Sequence, residues 1–322
     1  MSDEPSSDRV VTATYEVSDE EPTPIRSDRY IAEVLGLLTR SQLKYRLIRL
    51  WVNGRTARPS KVLNVGDVIH VRYSLPSEPV IVPRPVELPV LFENGDLLVI
   101  DKPQGLVVHT GSGGEVETVV SGAAYRRPEL LSAFPEDPIR PGVVHRLDKE
   151  TSGVMVLAKH PQAREELVAA FADRRVRKRY LAILKGVPPS DRGTVTAPIQ
   201  RYPHNRKRYR AVPAQSEAPG GKAAESEYRV IRHFGNYSFV ELRPKTGRTH
   251  QLRVHMSSLG APVLGDPTYA RRDPRYPDAT MMLHAYELHL PVSGRDQIAA
   301  FVAPIPHRIR QMLATLRYPS NP

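Results

Sequence analysis

Asp148 lies between Arg146 and Lys149 in the run His145 to Gly153, HRLDKETSG. Apolar residues frame it, Val143 and Val144 before and Val154 to Leu157 after, and Gly153 with the Thr151 and Ser152 hydroxyls marks a bend between them. Cations on both sides favour the ionised carboxylate, and a carboxylate held at the mouth of a sheet can serve as a nucleophile or as a base. A solvated charged turn has the same composition, so the run gains meaning only from further groups. Tyr180, at the head of the strand-like YLAIL and behind the basic run Arg174 to Arg179, offers a ring that can stack on an unstacked base. Arg248, in ELRPKTGRTHQLRVHM, falls where a strand pattern gives way to a helix pattern.

Several elements must position these groups. Leu91 to His109 reads as a strand, an Asn94-Gly95 turn, and a second strand ending at Lys102-Pro103, a pair better suited to a turn than to chemistry. His160-Pro161 opens a helix carrying Leu167, Ala170 and Phe171 on one face. Residues 223–232 and 237–242 read as two strands of one sheet, and Thr249 as the N-cap of a helix with Leu252, Met256 and Leu259 on one face, ended by Gly260. His250 and His255 read as structural histidines near a helix start, and a closing helix carries Ile309, Met312, Leu313 and Leu316.

Ahead of these lies a different composition. Residues 1–27 carry seven acids against two arginines and read as a disordered acidic tail, with Val10 to Val17 able to pair transiently as an edge strand. From Asp28 to Tyr73 the sign reverses, nine Lys and Arg against three acids. Ile31, Val34, Leu35 and Leu38 predict one short helix, and Leu43, Leu47 and Leu50 a second after the Thr39 to Ser41 cap region. Asn53-Gly54 predicts a tight hairpin, and Gly66-Asp67 leads into the alternating Val68, Ile69 and Val71. Five prolines between residues 75 and 90 mark a semi-rigid linker, placed at 75–88. The domains are therefore set at 28–74 and 89–318.

Composition removes whole classes of chemistry. The chain has 322 residues, 40% of them hydrophobic, enough for two cores, and no cysteine, which excludes disulfides, thiolate metal sites and cysteine nucleophiles. No HExxH spacing occurs among the 11 histidines, so no metal is expected. Gly111 to Gly114 lacks the Gly-Lys-Ser/Thr of a phosphate cradle and reads as a flexible loop, so no nucleotide cofactor is expected either. A net charge of +11 favours a polyanionic partner, and RYPHNRKRYR from Arg201 to Arg210 interleaves cations with aromatics as single-stranded or splayed RNA requires. No stretch has the roughly 20 apolar residues of a membrane span, so the protein is expected in the cytoplasm, most simply as a monomer.

The nine residues HRLDKETSG resemble the signature of the RluA family of pseudouridine synthases. The resemblance extends through Leu91 to His109, through Lys178, Tyr180 and Ala182 as a KxYxA arrangement, and through Glu241 to Met256, GAPVLGDPTY and the segments to about residue 318. The family form has a methionine near Tyr209 that is missing here. Arg40, Leu43, Trp51 to Arg55, Pro59-Ser60 and Gly66 to Ile69 resemble the S4 RNA-binding domain that precedes several such enzymes. These resemblances imply an α+β fold, a mixed and mainly antiparallel sheet with helices around a cleft, behind a small S4-like domain. They imply isomerisation of uridine to pseudouridine with no cofactor, in structured RNA, large-subunit ribosomal RNA before transfer RNA. Asp148 is then the catalytic residue. Arg248 pairs with it, Tyr180 stacks on uracil and assists proton transfer, and Arg146 fills the space left by the everted base. Leu252 lines the pocket, Lys178 binds substrate, and Arg40, Lys44 and Arg55 contact phosphates. A noncatalytic RNA-binding or ribosome assembly protein needs only the front domain; it has no need of Asp148, Tyr180 and Arg248 together.

Overall fold

Alternate inward residues Val11, Ala13 and Tyr15 pack on a core that includes Leu50, Val71 and Tyr73, which draws strand β1 (Arg9–Glu16) into register with β6 (Val68–Leu75). The computed structural model describes residues 9–75, 81–109, 117–203, 205–212, 221–291 and 298–318. They divide into two compact units, Met1–Val80 and Ile81–Pro322. Residues 9–26, expected in a disordered tail, are thus ordered in the first unit: the alternation that suggested a transient strand finds a permanent partner in β6. Residues 1–8 of that expected tail lie outside the described residues.

After β2 (Ile25–Arg26), helix α1 (Ser27–Arg29) runs into a π-helical turn, Tyr30–Val34, whose Tyr30 and Ile31 are fully buried. Helix α2 (Arg40–Arg46) begins in a capping box, with the Thr39 hydroxyl accepting from the Gln42 N–H and the Gln42 side chain returning to the Thr39 N–H. It stops before Leu47. Leu47 and Leu50, expected on the second helix, lie instead in β3 (Leu47–Val52), because LIRLWV pairs with β6 and buries Leu50 and Val52 there. Asn53 and Gly54 take φ 50° and 74° in the turn to β4 (Arg55–Thr56), as a two-residue hairpin demands. The sheet order is β1-β6-β3-β4, and β2 pairs with β5 (Val62–Leu63).

In the second unit Ile81 packs against Val120 and Ala124 and Leu88 joins the main core, so residues 81–88 of the expected linker belong to this unit. Residues 76–80 lie outside the described residues. The elements follow as β7 (Val90–Glu93), β8 (Leu97–Lys102), α3 (Val119–Arg126), α4 (Glu129–Ala133), β9 (Ser152–Ala158), α5 (Pro161–Ala172) and β10 (Arg177–Lys185). Next come β11 (Arg192–Val195), β12 (Ile199–Tyr202), β13 (Asn205–Ala211), β14 (Ser226–Phe234) and β15 (Tyr237–Pro244). The chain closes with α6 (Gln251–Ser258), β16 (Leu283–Pro291), β17 (Ile298–Val302) and α7 (His307–Arg317). One large sheet runs β11-β14-β15-β10-β16-β9-β8-β7 with β17 on β16, while β12 and β13 form a separate hairpin. Every pairing in the large sheet is antiparallel except β16 with β9. The fold is therefore α+β on a mixed, mainly antiparallel sheet. The expected loop at 111–114 and most of the turn expected at 215–221 lie outside the described residues.

Strand β9 is buried along its whole length and anchors the loop that carries Asp148. Its parallel contact with β16 sets Gly153 opposite Ala285 at φ 117°, where any Cβ would collide with the Ala285 carbonyl oxygen. Only glycine allows the two backbones to meet there. Among the described residues, no helix is long and apolar enough to cross a membrane.

Candidate active site

The loop from Arg146 to Thr151 has no regular structure of its own and is tied down by side chains from elsewhere in the unit. The Lys102 ammonium, fully buried at the end of β8, donates to the carbonyls of Pro103 (2.8 Å), Leu106 (2.7 Å) and Lys149 (3.1 Å). Three acceptors use all three N–H bonds of the charged form, while burial pulls its pKa down to about 7. Gln104 donates to the carbonyls of Glu150 and Met281. From α7, Arg308 reaches the Ser152 hydroxyl at 2.7 Å and the Leu283 carbonyl at 3.2 Å. His145 stacks on Phe171 and accepts the Val156 N–H at Nε2, 3.0 Å away. Burial, with nearby Lys178, lowers its pKa to about 3, so it is neutral with its proton on Nδ1.

Asp148 projects from this loop, one-fifth exposed, into a cavity of about 490 Å³. Its guanidinium partner is Arg253, not Arg248. Arg253 Nη1 donates to Asp148 Oδ2 at 2.9 Å, while Nε and Nη2 grip both oxygens of Asp266 at 2.7 and 2.9 Å. Burial pulls the Arg253 pKa down, but the bonds and charges of Asp266 and Asp148 outweigh it and the net shift is upward. Asp266 also accepts the backbone N–H groups of Thr268 and Tyr269, so the fork is fixed on its far side. Arg248 precedes the helix, and its exposed guanidinium donates from Nε to the Ala223 carbonyl at 3.0 Å. One turn of α6 separates the two arginines: Arg253 points inward from the helix, and Arg248 lies before its first residue.

The remaining sequence-expected residues of this unit line the same cavity. Tyr180 and Leu252 form apolar wall, and Arg146 and Lys178 stand with Arg174, Lys245 and Arg248 as cations around Asp148, the one acid of the lining. Burial foremost, and then the Asp148 charge, pushes the Tyr180 phenol up. Lys178 donates to the Thr246 carbonyl at 3.3 Å, and burial lowers its pKa. The helix start differs from expectation: His250, not Thr249, is the N-cap, in a left-handed conformation with φ 56°. His255 is buried between Ser226 and the Ala197 carbonyl, a structural role, whereas His250 Nε2 lies 3.9 Å from Asp148 Oδ2. Arg40, Lys44 and Arg55 lie in the first unit, all exposed, with the Lys44 ammonium 5.6 Å from the centre of the Tyr45 ring.

Sequence reasoning missed Arg253, Asp266 and His250. A signal existed: Arg253 sits next to Leu252 in a helix whose residues 251–256 are all buried, and a buried arginine must find an acid.

The second unit's geometry agrees with comparison to known proteins. The family model described as RNA pseudouridylate synthase matches residues 96–258. The chain is 38% identical to the ribosomal large subunit pseudouridine synthase D of Borreliella burgdorferi, over 88% of this chain and 87% of that one. It is 37% identical to the protein of the same name in Xanthomonas campestris, over 91% and 89%. An uncharacterized RNA pseudouridine synthase of Chloroflexus aurantiacus is 40% identical over 92% and 91%. The solved structure of human RNA Pseudouridylate Synthase Domain Containing 1 superposes with a TM-score of 0.55 at 28% identity, covering 73% of this chain and 97% of that chain. The chain belongs to the RluA family of RNA pseudouridine synthases, and it is an enzyme that acts on RNA.

Proposed function

We propose that this enzyme converts uridine to pseudouridine in large-subunit ribosomal RNA, with Asp148 as its catalytic residue. The reaction breaks the bond from ribose C1′ to uracil N1 and forms one from C1′ to C5; the hydrogen on C5 leaves as a proton and N1 takes one up, so the product is an isomer of the substrate. One observation carries the reading: the only acid lining the cavity among the described residues is held by an arginine that is itself locked on a second, buried carboxylate. That arrangement fixes the Asp148 carboxylate in a partly dry site, as a nucleophile or base toward ribose requires.

Tyr180 stacks on the everted uracil and its protonated phenol serves proton transfer, Leu252 packs against the base, and Arg146 fills the gap in the RNA stack. Lys178 and Arg248 face the phosphates at the rim. Arg40, Lys44 and Arg55 give the first unit an S4-like, sequence-independent hold on phosphates, which sets register. The ribosomal target is supported by the names of the Borreliella and Xanthomonas relatives. Such RNA places the work in the cytoplasm, and a monomer is the simplest form of the enzyme.

Asp148→Asn removes the charge and keeps the shape. Tritium release from RNA labelled at uracil C5 should fall by more than roughly a thousandfold, about 4 kcal/mol, with RNA affinity nearly unaltered. Turnover within tenfold of the parent enzyme would contradict the role.

A further inference from the structure

A line of hydrogen bonds leads from the β12–β13 hairpin to His250, which faces Asp148. The hairpin is cationic and aromatic: Arg201 donates to the Tyr209 hydroxyl at 3.0 and 3.2 Å, and Arg208 and Arg210 lie over the Tyr202 ring. The backbone N–H of Tyr209 donates to the Tyr269 hydroxyl oxygen at 2.9 Å, and that oxygen lies 2.9 Å from His250 Nδ1. His250 Nε2 then faces Asp148 Oδ2 across 3.9 Å.

Donor chemistry favours one arrangement of the protons. An amide nitrogen only donates, so Tyr269 accepts there and still has its own hydrogen to give. Given to His250 Nδ1, that hydrogen leaves the imidazole proton on Nε2, the nitrogen that faces Asp148. Burial is the largest influence on His250 and lowers its pKa; Asp148 and Asp266 pull upward, Arg253 and Arg146 downward. The ring is held edge-on by Tyr209 at 5.4 Å and Tyr269 at 5.7 Å. Its backbone, at φ 56° and ψ 16°, occupies a region that costs a non-glycine residue on the order of 1 kcal/mol. In that conformation the imidazole Nε2 lies 3.9 Å from Asp148 Oδ2.

We propose that His250 is a positioning residue of the isomerisation: a neutral imidazole, held as the Nε2–H tautomer by Tyr269 and the hairpin backbone, that joins Arg253 on Oδ2 of Asp148 and so leaves Oδ1 to meet the substrate. Arg253 already donates to the same oxygen, so both groups polarise one side of the carboxylate. The inference rests on Asp148 being the catalytic residue.

Nitrogen-15 NMR of the histidine-labelled full chain tests it, with the His250 signals identified by their loss in His250→Ala. His250 should show its proton on Nε2, and His145 in the same spectrum should show the opposite tautomer, since its Nε2 accepts from Val156. A proton on His250 Nδ1, or an imidazolium at a pH where the enzyme turns over, overturns the proposal. Tyr269→Phe supplies the kinetic arm. Losing the hydroxyl removes a bond that favours the neutral ring, so the acid limb of kcat should move up by about half a pH unit or more, with KM changed less than roughly twofold. A purely structural histidine would lower the folded fraction and leave that limb in place.

His250→Gln restores an N–H toward Asp148 and should keep kcat within roughly tenfold of the parent, against a loss of about a hundredfold for His250→Ala. Both variants bear the same backbone strain, so equal losses would overturn the role. The spectrum needs no RNA, which separates the two readings. An active Asp148→Asn enzyme with the expected tautomer sinks the catalytic assignment and this role with it. An inactive Asp148→Asn enzyme with the wrong tautomer sinks only the role of His250.

Discussion

Replacing Arg253 by methionine leaves two carboxylates without their shared cation. Its side chain is 5% exposed and that of Asp266 is fully buried, so the Asp266 charge has no water to turn to once the fork is gone. Breaking a buried pair from one side costs about 3–5 kcal/mol, most of it the desolvated charge left behind. Two backbone N–H groups, from Thr268 and Tyr269, still reach Asp266, which places the expected loss near the lower end, about 3 kcal/mol. Urea denaturation reads this directly. Adding Asp266→Asn to Arg253→Met removes the orphaned charge and should return roughly 1–2 kcal/mol, a rescue that a simple cavity would not show. Arg253→Lys keeps one positive charge, but an ammonium cannot hold both oxygens of Asp266 and reach Asp148 as well. Its single-turnover rate should fall by at least roughly a hundredfold, about 2.7 kcal/mol. The contrast is Arg248→Ala, which removes one exposed bond to the Ala223 carbonyl and should cost less than about 1 kcal/mol of stability. Two results would refute the reasoning: an Arg248→Ala enzyme as slow as Arg253→Lys, or an Arg253→Met chain within about 1 kcal/mol of the parent.

Acid should loosen the second unit through His145, whose folded pKa of about 3 lies below the unfolded value near 6.5. Between those values only the unfolded chain binds the proton, so this contribution is complete above pH 6.5 and is lost as the pH falls toward 3, up to roughly 5 kcal/mol in all. The pH dependence of the urea midpoint should flatten in His145→Gln, whose amide oxygen can still accept from Val156; an unchanged slope would discount the burial. Gly153→Ala drives a methyl into the Ala285 carbonyl and should cost more than about 3 kcal/mol, read by thermal unfolding, and a loss under 1 kcal/mol would contradict the close approach of β9 and β16. Lys102→Met strands three carbonyls that one ammonium satisfied and should cost about 2–4 kcal/mol by urea denaturation; a neutral result would mean that the ammonium does not hold the loop.

What the sequence disclosed depended on how local the cause was. The hairpin at Asn53-Gly54, the helix opened by Pro161 and the buried apolar run after Asp148 follow from turn chemistry and periodicity within a few residues, and these are where the structure has them. Leu47 and Leu50 were assigned to a helix because their spacing also fits one; pairing with β6, some 20 residues on, decides for a strand. The tail strand β1 was undervalued for the same reason, since its partner begins at residue 68. At the site, Asp148, Tyr180 and Leu252 lie along one cavity as the motifs implied. The partner of Asp148 was misassigned because Arg248 and Arg253 stand in one motif, and only the direction of α6 tells which guanidinium turns inward. The left-handed start of that helix at His250 carries no composition signal, and the rings beside it, Tyr209 and Tyr269, lie elsewhere in the chain.

The separation of its anchors explains how a loop without regular structure can hold the Asp148 carboxylate in one place. Lys102, Arg253 and Arg308 act on the Asp148 segment from β8, α6 and α7, and none of them is closer than about 45 residues in sequence. Closing such loops costs chain entropy whose growth with length is slow, so long-range ties are only modestly dearer than local ones once the sheet has formed. A local turn would hold the loop more cheaply, yet its hydrogen bonds would use the same backbone that the anchors need and would leave the carboxylate free to rotate. Distant anchors divide the work: Lys102 fixes the backbone just after Asp148, Arg308 fixes the entry to β9, and Arg253 fixes the carboxylate itself. Lys102 and Arg253 are buried and Arg308 is partly so, and the buried pair bring charge into a dry region, a cost that packing alone does not repay. A chain that needed only stability would fill those positions with apolar side chains. Their charges make sense as the means of holding one acid at one angle, beside an opening lined with cations.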